Sequence, residues 1–190
     1  MRRLGRQFYA RDAPVVAPRL LNKVLVVGNL AGRISEVEAY TRQDPASHSF
    51  HGRTNRNAVM FGPAGHLYVY FTYGIHHCAN VVTGGNAGAE PGQAVLIRAV
   101  EPLFGLDEMF RRRGRISNVA DGPGKLCQAF AIGLEMNGLD LCAEGVVGIF
   151  DAGDDPPDNA VVTPRIGIRV GTDTLWRWAL SKPQSGRRGS

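Results

Sequence analysis

The sequence lacks the features that mark exported, membrane-spanning or disulfide-stabilised proteins. Its three cysteines, Cys78, Cys127 and Cys142, are odd in number, widely spaced and part of no CxxC pair, which favours reduced thiols over a disulfide framework or a zinc site. No apolar run approaches the roughly 20 residues that a transmembrane helix needs. The arginines near the N-terminus precede no apolar stretch, so we expect no secretory signal. These absences predict a cytoplasmic protein that is neither secreted nor bound to a membrane.

The charge balance is basic, since 22 lysines and arginines against 17 aspartates and glutamates give a formal net charge of +5. A basic surface can bind a polyanion, because neutralising phosphates releases counterions. The same balance also fits a surface that is basic without a nucleic-acid partner, so charge alone leaves both interpretations open. The 190 residues suffice for one domain with a core and hardly for two.

The hydrophobic patterning predicts one α+β domain, built on a curved antiparallel sheet that is flanked by helices. We predict a flexible basic arm at 1–13, the domain at 14–180 and a disordered tail at 181–190. Strand patterns lie at 23–27, 32–40, 67–73, 75–83, 94–99, 146–150 and 165–170. Helix patterns lie at 19–21, 54–60, 106–113 and 123–132.

The second strand carries an unusual set of polar residues. Its period of two places one group of side chains on a common face, namely Ile34, Glu36, Glu38 and Tyr40. Two carboxylates and a tyrosine are atypical of a packed interior. The strand alone leaves two interpretations open, a solvated sheet face and a functional face.

The next strand is rich in aromatic residues. Tyr68 and Tyr70 are two positions apart, share a face and can wall a slot for a planar ligand, although aromatics in strands also serve as core or rim residues. A carboxylate on a rigid strand, such as Glu38, close to a loop histidine such as His48, suits general-base chemistry beside a flat aromatic ligand.

Two further patterns could indicate metal or phosphate binding. His48-x-x-His51 beside Glu36 and Glu38 is compatible with a metal-dependent hydrolase, but the other histidines do not complete a ligand set, and we predict no metal and no cofactor. The segment 121–125, DGPGK, lacks the spacing of a phosphate loop. It can still present helix N–H groups to a phosphate, or serve as a plain turn and helix cap.

Eight motifs in order resemble the alkyladenine (3-methyladenine) DNA glycosylase family, from about Leu20 to about Trp178. They are ISEVEAY, DPASHS, TNRNAVMFGP, GHLYVYFTYGIHHCANVV, AVLIRAVEP, DGPGKLCQAF, NGLDL and PRIGI. The resemblance implies a monofunctional DNA repair glycosylase. Such an enzyme flips alkylated or deaminated purines out of duplex DNA, hydrolyses the N-glycosidic bond with an activated water and leaves an abasic site.

The resemblance also implies roles for residues of this sequence. Glu38 is expected to activate the water and Arg98 to hold that water and Glu38. The residues expected to form the base pocket are Tyr40, His48, Tyr70 and Asn80. The fold that the resemblance implies includes a projecting β-hairpin, Tyr68–Val82, that enters DNA. The residues expected to contact DNA are Tyr73 as the intercalating side chain, Ile75 and His76 beside it, and Arg53 and Lys125 near phosphates.

The expected partner is double-stranded DNA that contains damaged purines, bound by a monomer that is associated with the nucleoid if the source is bacterial. A catalytically silent DNA-damage binder on the same scaffold remains an alternative. The presence of Glu38 in EVEAY argues against it, because loss of that carboxylate would be its simplest mark.

Tyr73 precedes Gly74, where the chain is predicted to reverse, so we expect its ring to replace the stacking of an extruded base. Stacking contributes ~1–3 kcal/mol per base, so Tyr73→Ala should weaken the flipped state by roughly ten- to a hundredfold and leave folding intact. A fluorescent base analogue that brightens when unstacked measures the flipped fraction. A variant that unfolds, or that flips bases as well as wild type, would assign the wedge to Ile75 or His76.

Overall fold

An antiparallel sheet is the framework of the structure, a computed structural model that describes residues 1–72, 74–85 and 89–181. The strands are β1 (Arg2–Arg3), β2 (Val24–Val27), β3 (Leu30–Tyr40), β4 (Leu67–Thr72), β5 (His76–Thr83), β6 (Gln93–Phe104), β7 (Val147–Asp151), β8 (Val161–Thr163) and β9 (Arg177–Ala179). The helices are α1 (Arg6–Tyr9), α2 (Ala13–Leu20), α3 (Leu106–Arg113) and α4 (Pro123–Phe130), with short 3-10 helices at Ala58–Phe61 and Leu134–Met136.

The sheet has the spatial order β1-β7-β2-β3-β6-β5-β4, with β9 paired to β3 and β8 paired to β9. The sheet curls around one large hydrophobic cluster, against which the helices pack, and this confirms the predicted α+β domain. The predicted hairpin is present as the antiparallel pair β4 and β5. None of the helices in these described ranges is long and apolar enough to cross a bilayer.

Strand β3 occupies the centre of the sheet. Its first residues pair with β2 across the turn at Gly28, which has a positive φ of 56°. Its later residues pair with β9 on one side and β6 on the other, so that Glu38 lies between Arg177 and Leu96. Because both edges of the strand are hydrogen-bonded there, the backbone of Glu38 is held rigidly.

The predicted alternation along β3 is wrong for Ile34. The pairing of β3 with β6 shifts register on both sides of Glu36, and such an irregularity changes the face on which the following residues lie. Ile34 therefore belongs to the hydrophobic core together with Val37 and Ala39. The side chains of Glu36, Glu38 and Tyr40 lie on the opposite, polar face.

The first 13 residues are packed, in contrast to the predicted flexible arm. Arg2 and Arg3 pair with β7, and Leu4 and Tyr9 are buried in the core. The Arg3 guanidinium donates hydrogen bonds to the carbonyls of Leu141 and Val147. Sequence periodicity missed this segment because its buried side chains are few and separated by charged residues.

The predicted strand at 165–170 is also wrong, since none of these residues, all of them described, lies in a strand. Gly167 has a φ of +80°, which interrupts extended backbone. The flanking segments Val161–Thr163 and Arg177–Ala179 form strands instead.

The helix predictions differ in outcome. The helix at Leu106–Arg113 is confirmed, and the predicted second helix is present as Pro123–Phe130. The helix predicted from Thr54 is only a 3-10 turn at Ala58–Phe61, because hydrogen bonds between Thr54 and Asn57 close a loop before it. Most of the predicted C-terminal tail, residues 182–190, lies outside the described residues.

Leu4→Ala tests whether the N-terminal segment belongs to the core. Leu4 is 5% exposed, and truncating a buried leucine to alanine costs about 2–5 kcal/mol. We expect a loss of that size in the free energy of unfolding, measured by urea denaturation. Val15→Ala, at a site that is 45% exposed, should change it by less than about 0.5 kcal/mol. Equal effects of the two variants would mean that the segment is not packed.

Candidate active site

A cavity of about 370 Å³ opens on the polar face of the sheet, a size typical of small-molecule sites. Strands β3 to β6 form its floor, the N-terminus of α4 one rim, and Ile166 to Ile168 another. All four predicted pocket residues line it, namely Tyr40, His48, Tyr70 and Asn80, and so does Arg98, which was predicted as a catalytic residue. The structure therefore brings together the side chains that sequence analysis placed in one pocket.

Glu38 lies directly behind the wall of this cavity. Its side chain is fully buried, and three residues that line the cavity donate to its carboxylate. The Tyr40 hydroxyl lies 2.9 Å from Oε2, the Ile166 amide nitrogen 2.7 Å from Oε1, and Arg98 Nη1 3.2 Å from Oε2. Oε1 thus has one donor against two at Oε2, so Oε1 keeps more capacity to accept a further hydrogen bond.

Arg98 is held by two carboxylates. Its Nε donates to Glu36 Oε1 at 2.6 Å, while its Nη1 contacts Glu38. Burial alone would lower the pKa of Arg98, but Glu38 and Glu36 together raise it above its ordinary value. Arg98 is therefore a permanent cation between two acidic side chains.

Glu36 is shared between two arginines. Arg177 Nε donates to the same Oε1 at 2.7 Å that accepts from Arg98. Burial would raise the pKa of Glu36, but the hydrogen bonds from Arg177 and Arg98 outweigh it and lower that pKa. The sequence indicated Glu36 as a member of the polar strand face and as a possible metal ligand, and it did not indicate Arg177 at all.

Aromatic rings form part of the cavity wall. His48 Nδ1 lies 2.9 Å from the Tyr68 hydroxyl, and its ring packs edge-on against Tyr70 with centroids 4.4 Å apart. Burial, and secondarily the charge of Arg56, lowers the pKa of His48, so the imidazole is neutral at pH 7. Burial raises the pKa of Tyr68 to about 12 and that of Tyr40 higher still. The wall consists of uncharged, electron-rich rings.

Asn80 lies on β5 at the floor of the cavity and is 4% exposed. Its side-chain Nδ2 donates a hydrogen bond to the carbonyl of its cross-strand partner Tyr68 at 3.0 Å. This bond fixes the orientation of the amide, so Asn80 presents a rigid polar edge to any ligand in the cavity.

Of the predicted DNA-contacting residues, His76 lines the cavity. Arg53 is exposed and Ile75 is 70% exposed. Lys125 pairs with Asp121 at 2.8 Å. His76 packs so closely on α4 that a Cβ at Gly124 would lie 2.9 Å from its ring. Tyr73, the predicted intercalating residue, lies outside the described residues.

Sequence analysis missed the segment that closes the site behind Glu38. Arg165 forms a buried ion pair with Asp44, and the next residue, Ile166, donates its amide to Glu38. Asp44 and Arg165 lie in two of the motifs that carry the family resemblance, DPASHS and PRIGI. Their contact joins positions 121 residues apart. Within the described ranges no three His, Cys, Asp or Glu side chains cluster as a metal site requires.

The chain matches the model of a family described as methylpurine-DNA glycosylase over residues 7–184. A relative from Burkholderia lata is 51% identical over 183 residues, which cover 93% of this chain and 87% of the relative. A relative from Carboxydothermus hydrogenoformans is 50% identical over 183 residues, covering 93% and 94%. A relative from Methanoculleus marisnigri is 50% identical over 181 residues, covering 91% and 92%. Each is named "Putative 3-methyladenine DNA glycosylase".

Glu36→Gln tests the charge pairing beside the cavity. A carboxyl whose pKa is lowered by folding stabilises the protein above its unfolded pKa, and this contribution disappears as pH falls through the folded pKa. At pH 7 the variant should be less stable by about 1.5–3 kcal/mol, the usual contribution of hydrogen bonds to charged groups. The difference from wild type should shrink as pH falls below about 4.5. A difference that stays constant from pH 7 to pH 3, measured by urea denaturation, would contradict the pairing.

Proposed function

The chain belongs to the methylpurine-DNA glycosylase family, and we propose that it flips damaged purines out of duplex DNA into the aromatic cavity described above. Membership makes it a hydrolase of DNA repair that acts on N-glycosidic bonds. The proposed substrates are alkylated or deaminated purines, namely 3-methyladenine, 7-methylguanine, hypoxanthine and ethenoadenine. The observation that carries the proposal is the fully buried Glu38 carboxylate, held by Arg98 directly behind a cavity of aromatic rings.

Base flipping supplies access to the bond. A base inside a duplex cannot reach a cavity in the protein, so the nucleotide must be extruded. Extrusion costs a few kcal/mol of unstacking, and less for a damaged base. Stacking on aromatic side chains at ~1–3 kcal/mol per contact offsets that cost, and Tyr40, His48 and Tyr70 line the cavity for it. We propose that the β4–β5 hairpin enters the DNA, that Tyr73, Ile75 and His76 contact the duplex there, and that Arg53 and Lys125 lie near phosphates.

Hydrolysis is proposed to use Glu38 as a general base. A water that reaches Oε1, the carboxylate oxygen with a single donor, would give its proton to Glu38 as its oxygen bonds to the sugar C1′. The electron pair of the breaking bond leaves with the base, and the carboxylate also stabilises the cationic sugar that develops. Arg98 would orient both Glu38 and the water.

The neutral, electron-rich rings of the cavity favour leaving groups that are already cationic. An alkylated purine such as 3-methyladenine carries positive charge, stacks on electron-rich rings through a cation–π interaction and leaves without a proton. A neutral purine needs an acid, but His48 has a lowered pKa and the wall tyrosines have raised ones. We therefore propose that cationic lesions are released faster than neutral ones.

The proposed product is an abasic site in an unbroken strand. Strand cleavage by a glycosylase would require an amine nucleophile at the sugar, and the cavity wall contains no lysine among the residues described. Water is then the nucleophile. We propose that the protein acts as a monomer in the cytoplasm, without a cofactor.

Glu38→Gln should bind lesion-containing duplex as wild type does but release bases at least about a hundredfold more slowly, because a general base contributes 10²–10⁴-fold. Single-turnover release of 7-methylguanine, measured with a chelator present, checks this. Glu101→Gln is the matched control, since Glu101 is an exposed carboxylate paired with Arg33. A near-wild-type rate for Glu38→Gln would refute the assignment, and a wild-type activity abolished by the chelator would favour a metal-dependent hydrolase.

Asn80→Ser should relax the exclusion of normal guanine. Guanine carries an exocyclic amine on its minor-groove edge, and we propose that the rigid Asn80 amide excludes that amine sterically. The shorter serine leaves room for it, so release of normal guanine should rise several-fold relative to release of 7-methylguanine. The ratio of the two single-turnover rates measures the effect. If this ratio stays at its wild-type value, discrimination against guanine comes from another residue.

A further inference from the structure

A buried ion pair joins the two loops that flank the cavity. The side chains of Arg165 and Asp44 are 0% and 2% exposed. Arg165 Nη2 lies 2.9 Å from Asp44 Oδ1, and Nη1 contacts the other carboxylate oxygen, so the pair is bidentate. Asp44 lies in the loop that carries His48, whereas Arg165 precedes Ile166, whose amide donates to Glu38. The pair therefore connects the aromatic wall to the support of the carboxylate.

Arg165 also contacts the strand that carries Glu38. Its Nη1 donates to the carbonyl of Ala39 at 3.0 Å, and its guanidinium lies 4.7 Å from the ring centroid of Tyr40. Tyr40 is the residue whose hydroxyl donates to Glu38. Two of the three donors to Glu38 are thus neighbours of Arg165, one through the chain and one through space.

The backbone at Gly171 packs closely against the ion pair. Gly171 has a φ of +63°, and a Cβ there would lie 3.3 Å from both Arg165 Nη2 and Asp44 Oδ1. The loop therefore closes on the pair at a position that requires glycine. Asp44 Oδ1 further accepts a hydrogen bond from the amide of Ala46 at 3.0 Å, so both loops are fixed to the same two charges.

We propose that Arg165 and Asp44 are positioning residues for base release, an inference that rests on the function proposed above. Their pair holds the Ile166 amide and the Tyr40 ring against Glu38 and so fixes the direction of the carboxylate. Stability alone is a poor reason for such a pair, because apolar replacements of buried ion pairs are often neutral or stabilising. Catalysis, in contrast, is sensitive to misplacements of about 1 Å.

The two charges give the proposal an electrostatic signature. Glu38 faces Arg98 from β6, Tyr40 from its own strand and the loop with Arg165 on the third side, while Glu36 and Arg177 lie beyond Arg98. Asp44→Asn leaves the Arg165 cation unpaired near Glu38, which favours the ionised form of Glu38 over the protonated form. Arg165→Gln removes that cation, and the buried Asp44 carboxyl without its partner takes up a proton, so little charge is left beside Glu38. The acidic limb of the rate–pH profile should therefore move in Asp44→Asn and stay close to its wild-type position in Arg165→Gln.

The experiment measures single-turnover release of 7-methylguanine from duplex DNA between pH 4 and pH 8. Asp44→Asn and Arg165→Gln should each slow the plateau rate by about ten- to a hundredfold, with lesion-DNA affinity within about threefold of wild type. The acidic limb should move to lower pH in Asp44→Asn and stay close to its wild-type position in Arg165→Gln. Arg165→Lys keeps the positive charge but cannot make the bidentate contact with Asp44. It should therefore slow base release and leave the acidic limb of the profile at its wild-type pH.

Asp151→Asn is the matched control, because it removes a carboxylate from an ion pair with the buried Lys23 away from the cavity. It should leave the rate and the profile unchanged. If folded Asp44→Asn has the wild-type rate and the wild-type acidic limb, the positioning role is overturned. It is also overturned if the variants at both positions fail to fold at 15 °C, as judged by circular dichroism. If wild type releases no base, or if Glu38→Gln matches wild type, the proposed function itself fails.

Discussion

The burial of one carboxylate is the constraint on which the rest of the structure depends. Glu38 is fully enclosed, and an enclosed charge is costly unless it is paired and hydrogen-bonded. The chain meets this requirement from three directions, with Arg98 from β6, Tyr40 from the same strand and the Ile166 amide from a distant loop. A central strand that is hydrogen-bonded on both edges keeps these contacts in register.

The compensation extends outwards as alternating charges. Arg177, Glu36, Arg98 and Glu38 follow one another through direct contacts, and the Arg165–Asp44 pair lies on the other side of Tyr40. The three cations and three anions balance, so the neighbourhood of the cavity carries charge without a net excess. The cavity itself stays lined by neutral rings, a combination that suits a flat, cationic guest and a carboxylate reserved for one proton transfer.

The sequence predicted those parts that local patterns determine. The i, i+2 spacing in EVEAY placed Glu38 and Tyr40 on one face, and the helix at Leu106–Arg113 follows from its own apolar spacing and terminal arginines. Ile34 was misplaced because a register shift depends on the partner strand. Arg165 and Asp44 were missed because their contact spans 121 positions, and pairing over such a separation leaves no periodic signal.

The most direct test of the account is a crystal structure of the protein bound to duplex DNA that contains a damaged purine on a non-hydrolysable sugar. We predict that the purine lies between the aromatic rings of the cavity, with a water within ~2.6–3.2 Å of Glu38 Oε1 and in line with the sugar C1′. A purine that remains stacked in the duplex, or a Glu38 carboxylate that no water reaches, would contradict it.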